Sequence, residues 1–232
     1  MSDKKFSKEQ AIRFGWDKMK NNLGFFIVYL IVVFILEGFF NFFATTFNES
    51  LSSLSLLFSL GSWIVSIVSS IFIIKIGLKL YDNLKIGSYD FLSFTTSLFF
   101  KFLLGYVLYM LLVGVGFLLL VVPGIYLAIR FQFVQYLIVD KNMDVMDAFK
   151  ESSKMTDGQK WNLFLLMLLF IGINIIGALA LGIGLLITIP IVIVAQAYVY
   201  KKLCLDAVRQ SDILVTDSGS VSNPFRTPGS PS

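Results

Sequence analysis

The chain has 232 residues, 56% hydrophobic and 15% charged, with a mean hydropathy of +0.80, a balance that a water-soluble domain cannot hold without exposing apolar surface. Histidine is absent and Cys204 is the one cysteine, which excludes His-based general-base and nucleophile chemistry, intrachain disulfides and thiolate metal clusters. A net charge of +4 is too small to argue for nucleic acid as a partner, so the composition predicts an all-α integral membrane protein with no catalytic, cofactor or metal residues.

Residues 1–22 read as a cytoplasmic amphipathic helix. Ser7 to Gln10 forms a capping box, and Ala11, Ile12, Gly15, Trp16 and Met19 fall on one helical face. Residues 23–203 follow as a six-span membrane domain, with spans at about 23–47, 54–74, 98–120, 124–139, 161–181 and 183–200. The third and fourth come from one apolar run, Leu98 to Val139, interrupted by Lys101, Arg130 and the turn at Pro123 and Gly124. At 1.5 Å per residue that run is about 63 Å long, enough to cross a core of about 30 Å twice. The fifth and sixth spans share this arrangement, with a dip at Gly182 and Gly184.

Two further amphipathic pieces precede hairpins. Asp90 would cap one carrying Phe91, Leu92, Phe94 and Thr95. Asp144 with Asp147 opens the other, with Val145, Ala148, Phe149 and Ser152 on one side and Lys150, Glu151 and Lys154 on the other. The chain therefore reads as a six-helix bundle of three transmembrane hairpins, each preceded by a cytoplasmic amphipathic helix. Two readings of that repetition stand side by side: a pseudo-threefold array about the membrane normal, and the ordinary amphipathicity of loops between membrane helices. Residues 204–232, rich in Ser, Thr, Pro and Gly from Ser211, read as a disordered cytoplasmic tail.

The basic residues orient the spans. Six precede the first span, four lie from Lys75 to Lys101, five from Arg130 to Lys160 and four from Lys201 onward, while the connections near 48–53, Pro123 and Gly182 carry none. The positive-inside rule then places both termini in the cytoplasm of an inner or plasma membrane. A signal peptide cleaved after Ala44 is the competing reading, but the apolar run is long for a signal core and contains Glu37. Losing the first span would also put the charge pattern out of phase.

A charge inside a span costs roughly 2.5–3.5 kcal/mol on insertion scales, so each needs a partner or a purpose. From the depth of each residue along its span, Glu37 and Arg130 are expected to form an ion pair, with Asn41 one turn from Glu37. Such a pair would either tie two hairpins together or act as a proton or substrate relay. Gln132, Gln135, Asn174 and Gln196 add hydrogen-bonding capacity, and Glu37, Asn41, Arg130, Gln132 and Gln196 form the candidate polar cluster. Ser52, Ser55, Ser59, Ser62, Ser66 and Ser69 repeat at intervals of three and four. That stripe predicts close helix packing at a left-handed crossing, within the chain or against a second copy, with a pore lining as the alternative. Gly124 with Ala128, Ala178 with Gly182 and Ala180 with Gly184 are further small pairs. Pro190 should kink the sixth span, with Thr188 near enough to satisfy a freed carbonyl. Cys204 reads as a buried thiol, acylation being the alternative.

The segment PGIYLAIRFQFVQYLIVDKN from Pro123, the following MDAFKESSKMTDGQKWNLFLLMLLF, the glycine-rich turn, Pro190 and AQAYVY together resemble an uncharacterised bacterial family of multi-pass membrane proteins related to the glycerophosphoryl diester phosphodiesterase membrane domain. About 80 carboxy-terminal residues carry the likeness, which implies a helical membrane bundle. In some relatives the domain is joined to a phosphodiesterase barrel. No stretch here is long and polar enough for that barrel, so the resemblance does not carry enzymatic activity across.

The expected function is therefore non-catalytic: a structural, lipid-contacting or partner-binding role, with the lipid bilayer and anionic headgroups as partners and a homo-oligomer or membrane-protein partner as a further option. Lysines flanking the spans fit this, each contributing about 1 kcal/mol near an anionic surface. The alternative is a small-molecule or ion transporter or channel built on the intramembrane polar cluster; an integral lipid enzyme ranks third.

Overall fold

A computed structural model describes residues 6–47, 52–87, 95–180 and 184–217, with side chains described to residue 208. All regular structure among these residues is helical: α1 Lys8–Asn21, α2 Leu23–Thr46, α3 Ser52–Tyr81, α4 Thr96–Leu119, α5 Val121–Phe131, α6 Val134–Lys141, α7 Val145–Thr156, α8 Lys160–Leu179 and α9 Leu185–Asp217. Six helical stretches are long and apolar enough to cross a membrane: α2, α3, α4, α5 with α6, α8, and α9 to Val208.

Local chemistry sets several boundaries. Ser7 caps α1, its hydroxyl accepting the Gln10 N–H at 3.3 Å. Ala11, Gly15 and Met19 are the buried residues of α1, whereas Trp16 is 44% exposed and stands at the edge of that face. Asp144 precedes α7 without capping it through its side chain; its carboxylate instead meets Lys101 Nζ at 2.8 Å. The capping piece expected at Asp90 lies outside the described residues.

The turn expected at Pro123 and Gly124 falls at Leu120, the single extended residue between α4 and α5. Pro123 sits in the first turn of α5, where no intrahelical donor is required of it. Gly124 packs closely against α4: a Cβ on it would lie 2.5 Å from the Phe117 ring, and one on Gly116 would lie 2.9 Å from Gly124 Cα. Gly184 similarly meets Gly177, since a Cβ on it would lie 2.5 Å from the Gly177 carbonyl oxygen. Gly182 lies outside the described residues.

Two expectations about the later spans change. The fourth span is two helices, broken at Gln132 and Phe133. The tail expected from residue 204 continues α9 as helix to Asp217, because Leu205, Ala207 and Val208 sustain the helical register after Cys204. Residues 218–232 lie outside the described residues.

Burial is unevenly distributed. The core gathers Ala11 of α1, the second half of α3, the first half of α4, α6, α7, the start of α8 and the middle of α9, around Ile71, Phe102, Phe133, Leu137, Met155 and Tyr200. A satellite cluster joins Met19, Phe26, Phe72, Ile76, Ile191 and Val194. By contrast α2 buries only Phe26 and Ala44, and α2, the first half of α3, α4 and α8 carry most of the exposed large apolar side chains, up to Leu118 at 87%. Helices apolar all round with so little buried surface require an apolar surrounding.

Candidate functional site

The serines of α3 face α2 of the same chain. Ser55 Oγ donates to the Ala44 carbonyl at 2.8 Å, Ser62 Oγ accepts from Asn41 Nδ2 at 3.2 Å, and Tyr29 OH donates to the Ser69 carbonyl at 2.8 Å. These three serines are seven residues apart and meet α2 in antiparallel order, as one stripe of a heptad does. Gly61 belongs to the same contact, because a Cβ there would run into the Phe40 ring. Ser59 Oγ turns back to the Ser55 carbonyl at 2.9 Å within its own helix.

Ser66 belongs instead to a cavity of about 340 Å³ where α2, α3 and α4 meet. Glu37 enters it from α2, Ser62, Trp63, Ser66 and Ser70 from α3, and Phe102 and Tyr106 from α4. Asn41 is fastened beside it, donating to the Glu37 carbonyl at 2.8 Å as well as to Ser62. The cavity thus sets one carboxylate and a row of hydroxyls against three aromatic side chains.

Arg130 does not complete that group. Its Nε donates to Ser153 Oγ at 2.7 Å, and its guanidinium stands 5.6 Å from the Phe131 ring centroid. Among the described residues no ion pair joins it to Glu37. Equal depth brings two residues together only where their hairpins face each other; Glu37 instead borders the cavity it shares with Phe102 and Tyr106, and Arg130 faces α7. The Arg130 backbone is equally engaged: its carbonyl, freed by the break between α5 and α6, accepts from Ser152 Oγ at 3.0 Å, with the Thr156 hydroxyl a second donor within reach at 3.2 Å. A buried carbonyl at a helix end must find such donors. Gln132 stays local, Nε2 donating to the Ile129 carbonyl at 3.1 Å, and Gln196 is half-buried on α9. The five-residue polar cluster is therefore divided among separate places.

Three charged groupings join segments that are distant in sequence. Lys201 Nζ meets Asp140 at 3.0 Å and Asp82 at 3.4 Å, while Tyr200 OH donates to Asp140 at 2.9 Å, tying α3, α6 and α9. Lys101 meets Asp144 and donates to the Asn142 carbonyl at 3.1 Å, where Asn142 ends α6 in a left-handed conformation that asparagine tolerates. Lys160 bridges Asp157 and the Tyr126 hydroxyl, each at 3.0 Å. The hydrogen bond from Lys160, with its charge, holds the Asp157 carboxyl below the usual carboxylate range.

Pro190 is buried within α9, and the Thr188 hydroxyl does not satisfy a freed carbonyl: among the described residues its oxygen is buried without a hydrogen-bond partner, against Gly177. Cys204 is a half-buried free thiol packed on the main core.

Comparison with curated proteins and with solved structures returns no match. Residues 25–206, most of the chain, match the family described as Protein of unknown function (DUF975), and the chain belongs to that family.

Proposed function

We propose that this chain is a non-catalytic multi-pass protein of the inner or plasma membrane that works through contact with lipid. The observation that carries the reading is the division of surface. Apolar side chains stand outward along α2, α4 and α8, whereas the ion pairs of Lys101, Lys160 and Lys201 lie at the ends of α3, α4, α6 and α8 and on α9 past its apolar stretch. With the positive-inside rule, that charged end faces the cytoplasm, both termini lie there, and α1 and α7 lead their hairpins in from the headgroup layer. Trp16 and Trp161, 44% and 69% exposed, each adjoin lysines in the manner of interfacial anchors. The resemblance of the segment from Pro123 to Tyr200 to the glycerophosphoryl diester phosphodiesterase membrane domain adds no activity to this reading.

Native mass spectrometry from a mild detergent tests it. Retention of anionic phospholipid that is lost when Lys18, Lys20 and Lys202 are replaced by glutamine supports lipid contact at the charged end. A lipid-free monomer, unchanged by those substitutions, overturns it. A second reading, passage of a small molecule, draws on the cavity at Glu37. It predicts flux in proteoliposomes that disappears in Glu37→Gln.

A further inference from the structure

We infer that the cavity between α2, α3 and α4 is a binding site for a single-chain organic cation: an amphiphile with an ammonium head and an apolar tail. Glu37 brings a carboxylate into a mostly apolar environment, and among the described residues no basic side chain pairs with it. The arginine expected there is held by Ser153. A carboxylate held ionised in that setting is stabilised by a counter-charge, and the cavity leaves room for one to arrive from outside the chain.

The walls select the kind of cation. Trp63, Phe102 and Tyr106 border the same space as Glu37, and aromatic faces attract organic cations that can shed their hydration. A hard metal ion would instead require six or more oxygen ligands, which one carboxylate and a few hydroxyls do not supply. Ser70 spends its proton on the Ser66 carbonyl, at 2.8 Å, so its oxygen is left as an acceptor. An anionic or phosphate-bearing head would meet the Glu37 charge and is disfavoured.

Size and position agree. About 340 Å³ is at the lower end of small-molecule pockets, roughly 300–1,000 Å³, and far exceeds what a proton or a lone water needs. Trp63 at the rim is 62% exposed and is flanked on α3 by exposed Leu60 and Ile64. That apolar track gives an alkyl tail a path out of the cavity along α3 while its head stays at Glu37. The site is independent of lipid contact at the charged end, so its failure would leave that reading standing.

The test uses Trp63 as reporter. With Trp16 and Trp161 replaced by phenylalanine at their exposed positions, the full chain in nonionic micelles is titrated with dodecylpyridinium, which quenches tryptophan on contact. The expected result is saturable quenching that is relieved by dodecyltrimethylammonium, not relieved by dodecanoate, and weakened at least tenfold in Glu37→Gln of unchanged gel-filtration profile. Quenching that rises without saturation, equally in both proteins, overturns the site. Should Glu37→Gln aggregate, Ser66→Leu decides, because it fills the cavity and leaves the carboxylate in place: saturable quenching retained in that variant overturns the site, and its loss supports it.

Discussion

Ser152 on α7 donates its hydroxyl to the Arg130 carbonyl across the break between α5 and α6, at 3.0 Å. One turn further along α7, the Thr156 hydroxyl lies 3.2 Å from the same oxygen and 2.9 Å from the Ser152 carbonyl, so its single proton can turn to either. Two hydroxyls on one carbonyl predict redundancy. Ser152→Ala alone should cost little, since Thr156 remains, while the double variant with Thr156→Val strands a buried acceptor at a cost of about 1–3 kcal/mol. Unfolding in mixed micelles of the singles and the double measures this, and a double no worse than the sum of the singles would remove the shared role.

Gly15 sets how closely α1 approaches α9, because a Cβ there would lie 2.5 Å from the Ile191 carbonyl oxygen and 3.2 Å from Ala195 Cβ. A backbone oxygen cannot swing aside as a side chain does, so Gly15→Ala should loosen α1 at a cost of about 1–3 kcal/mol. Gly24 on α2 is the control, with nothing within 4 Å of its Cβ position. There alanine should be neutral or stabilising, by up to about 1 kcal/mol of helix propensity. Limited proteolysis between α1 and α2 reports the difference, and equal cleavage of the two variants would remove the Gly15 contact.

These two cases separate what local sequence carries from what it does not. The Ser7 cap, the buried face of α7 and the six apolar stretches follow from periodicity and capping chemistry, which act over a few residues. The serine spacing is equally local, and Ser55, Ser62 and Ser69 do face one helix. Partnerships between distant residues are not legible in this way: nothing near Asp140 announces Lys201, 61 residues away. The Glu37 and Arg130 expectation failed for a related reason. Depth along a span is written in the sequence, but which side of its helix a residue faces depends on how the hairpins pack, and α7 claims Arg130 before Glu37 can.

Ser55 and Ser69 predict the size of the α2 contact. Hydroxyl bonds between membrane helices average about 0.6 kcal/mol, so Ser55→Ala should destabilise by about that amount and Ser52→Ala, at the exposed end of α3, by less. Tyr29→Phe should cost more than Ser55→Ala, because its hydroxyl meets both the Ser69 carbonyl and hydroxyl. Unfolding midpoints in mixed micelles rank the three, and a Ser52→Ala cost equal to that of Ser55→Ala would contradict the assignment of the stripe to α2.

Lys201 stands between two carboxylates, so removing it and removing one of them are unequal changes. Lys201→Met leaves Asp82 and Asp140 facing each other without their shared cation, although Tyr200 still donates to Asp140. Asp82→Asn leaves Lys201 with Asp140. Breaking a fully buried pair costs about 3–5 kcal/mol; these side chains retain 19–42% exposure, so about 1–3 kcal/mol is expected for Lys201→Met and under about 1 kcal/mol for Asp82→Asn. A reversed order would mean that the desolvation of Lys201 outweighs its two attractions.

Glu37 and Arg130 yield the sharpest contrast with the linear reading. An ion pair would make their removal strongly non-additive, whereas residues engaged by different helices should act independently, with effects adding to within about 0.3–0.5 kcal/mol. Glu37→Gln should be nearly neutral for stability, since its backbone carbonyl keeps the bond from Asn41 and its side chain faces a cavity. Arg130→Met should destabilise, because Ser153 loses its partner at the joint where α7 holds the broken helix. A double-mutant cycle in mixed micelles measures the coupling. A value above about 1 kcal/mol would restore the pair and place Arg130 at the cavity; additivity leaves Glu37 available to a cation from outside the chain.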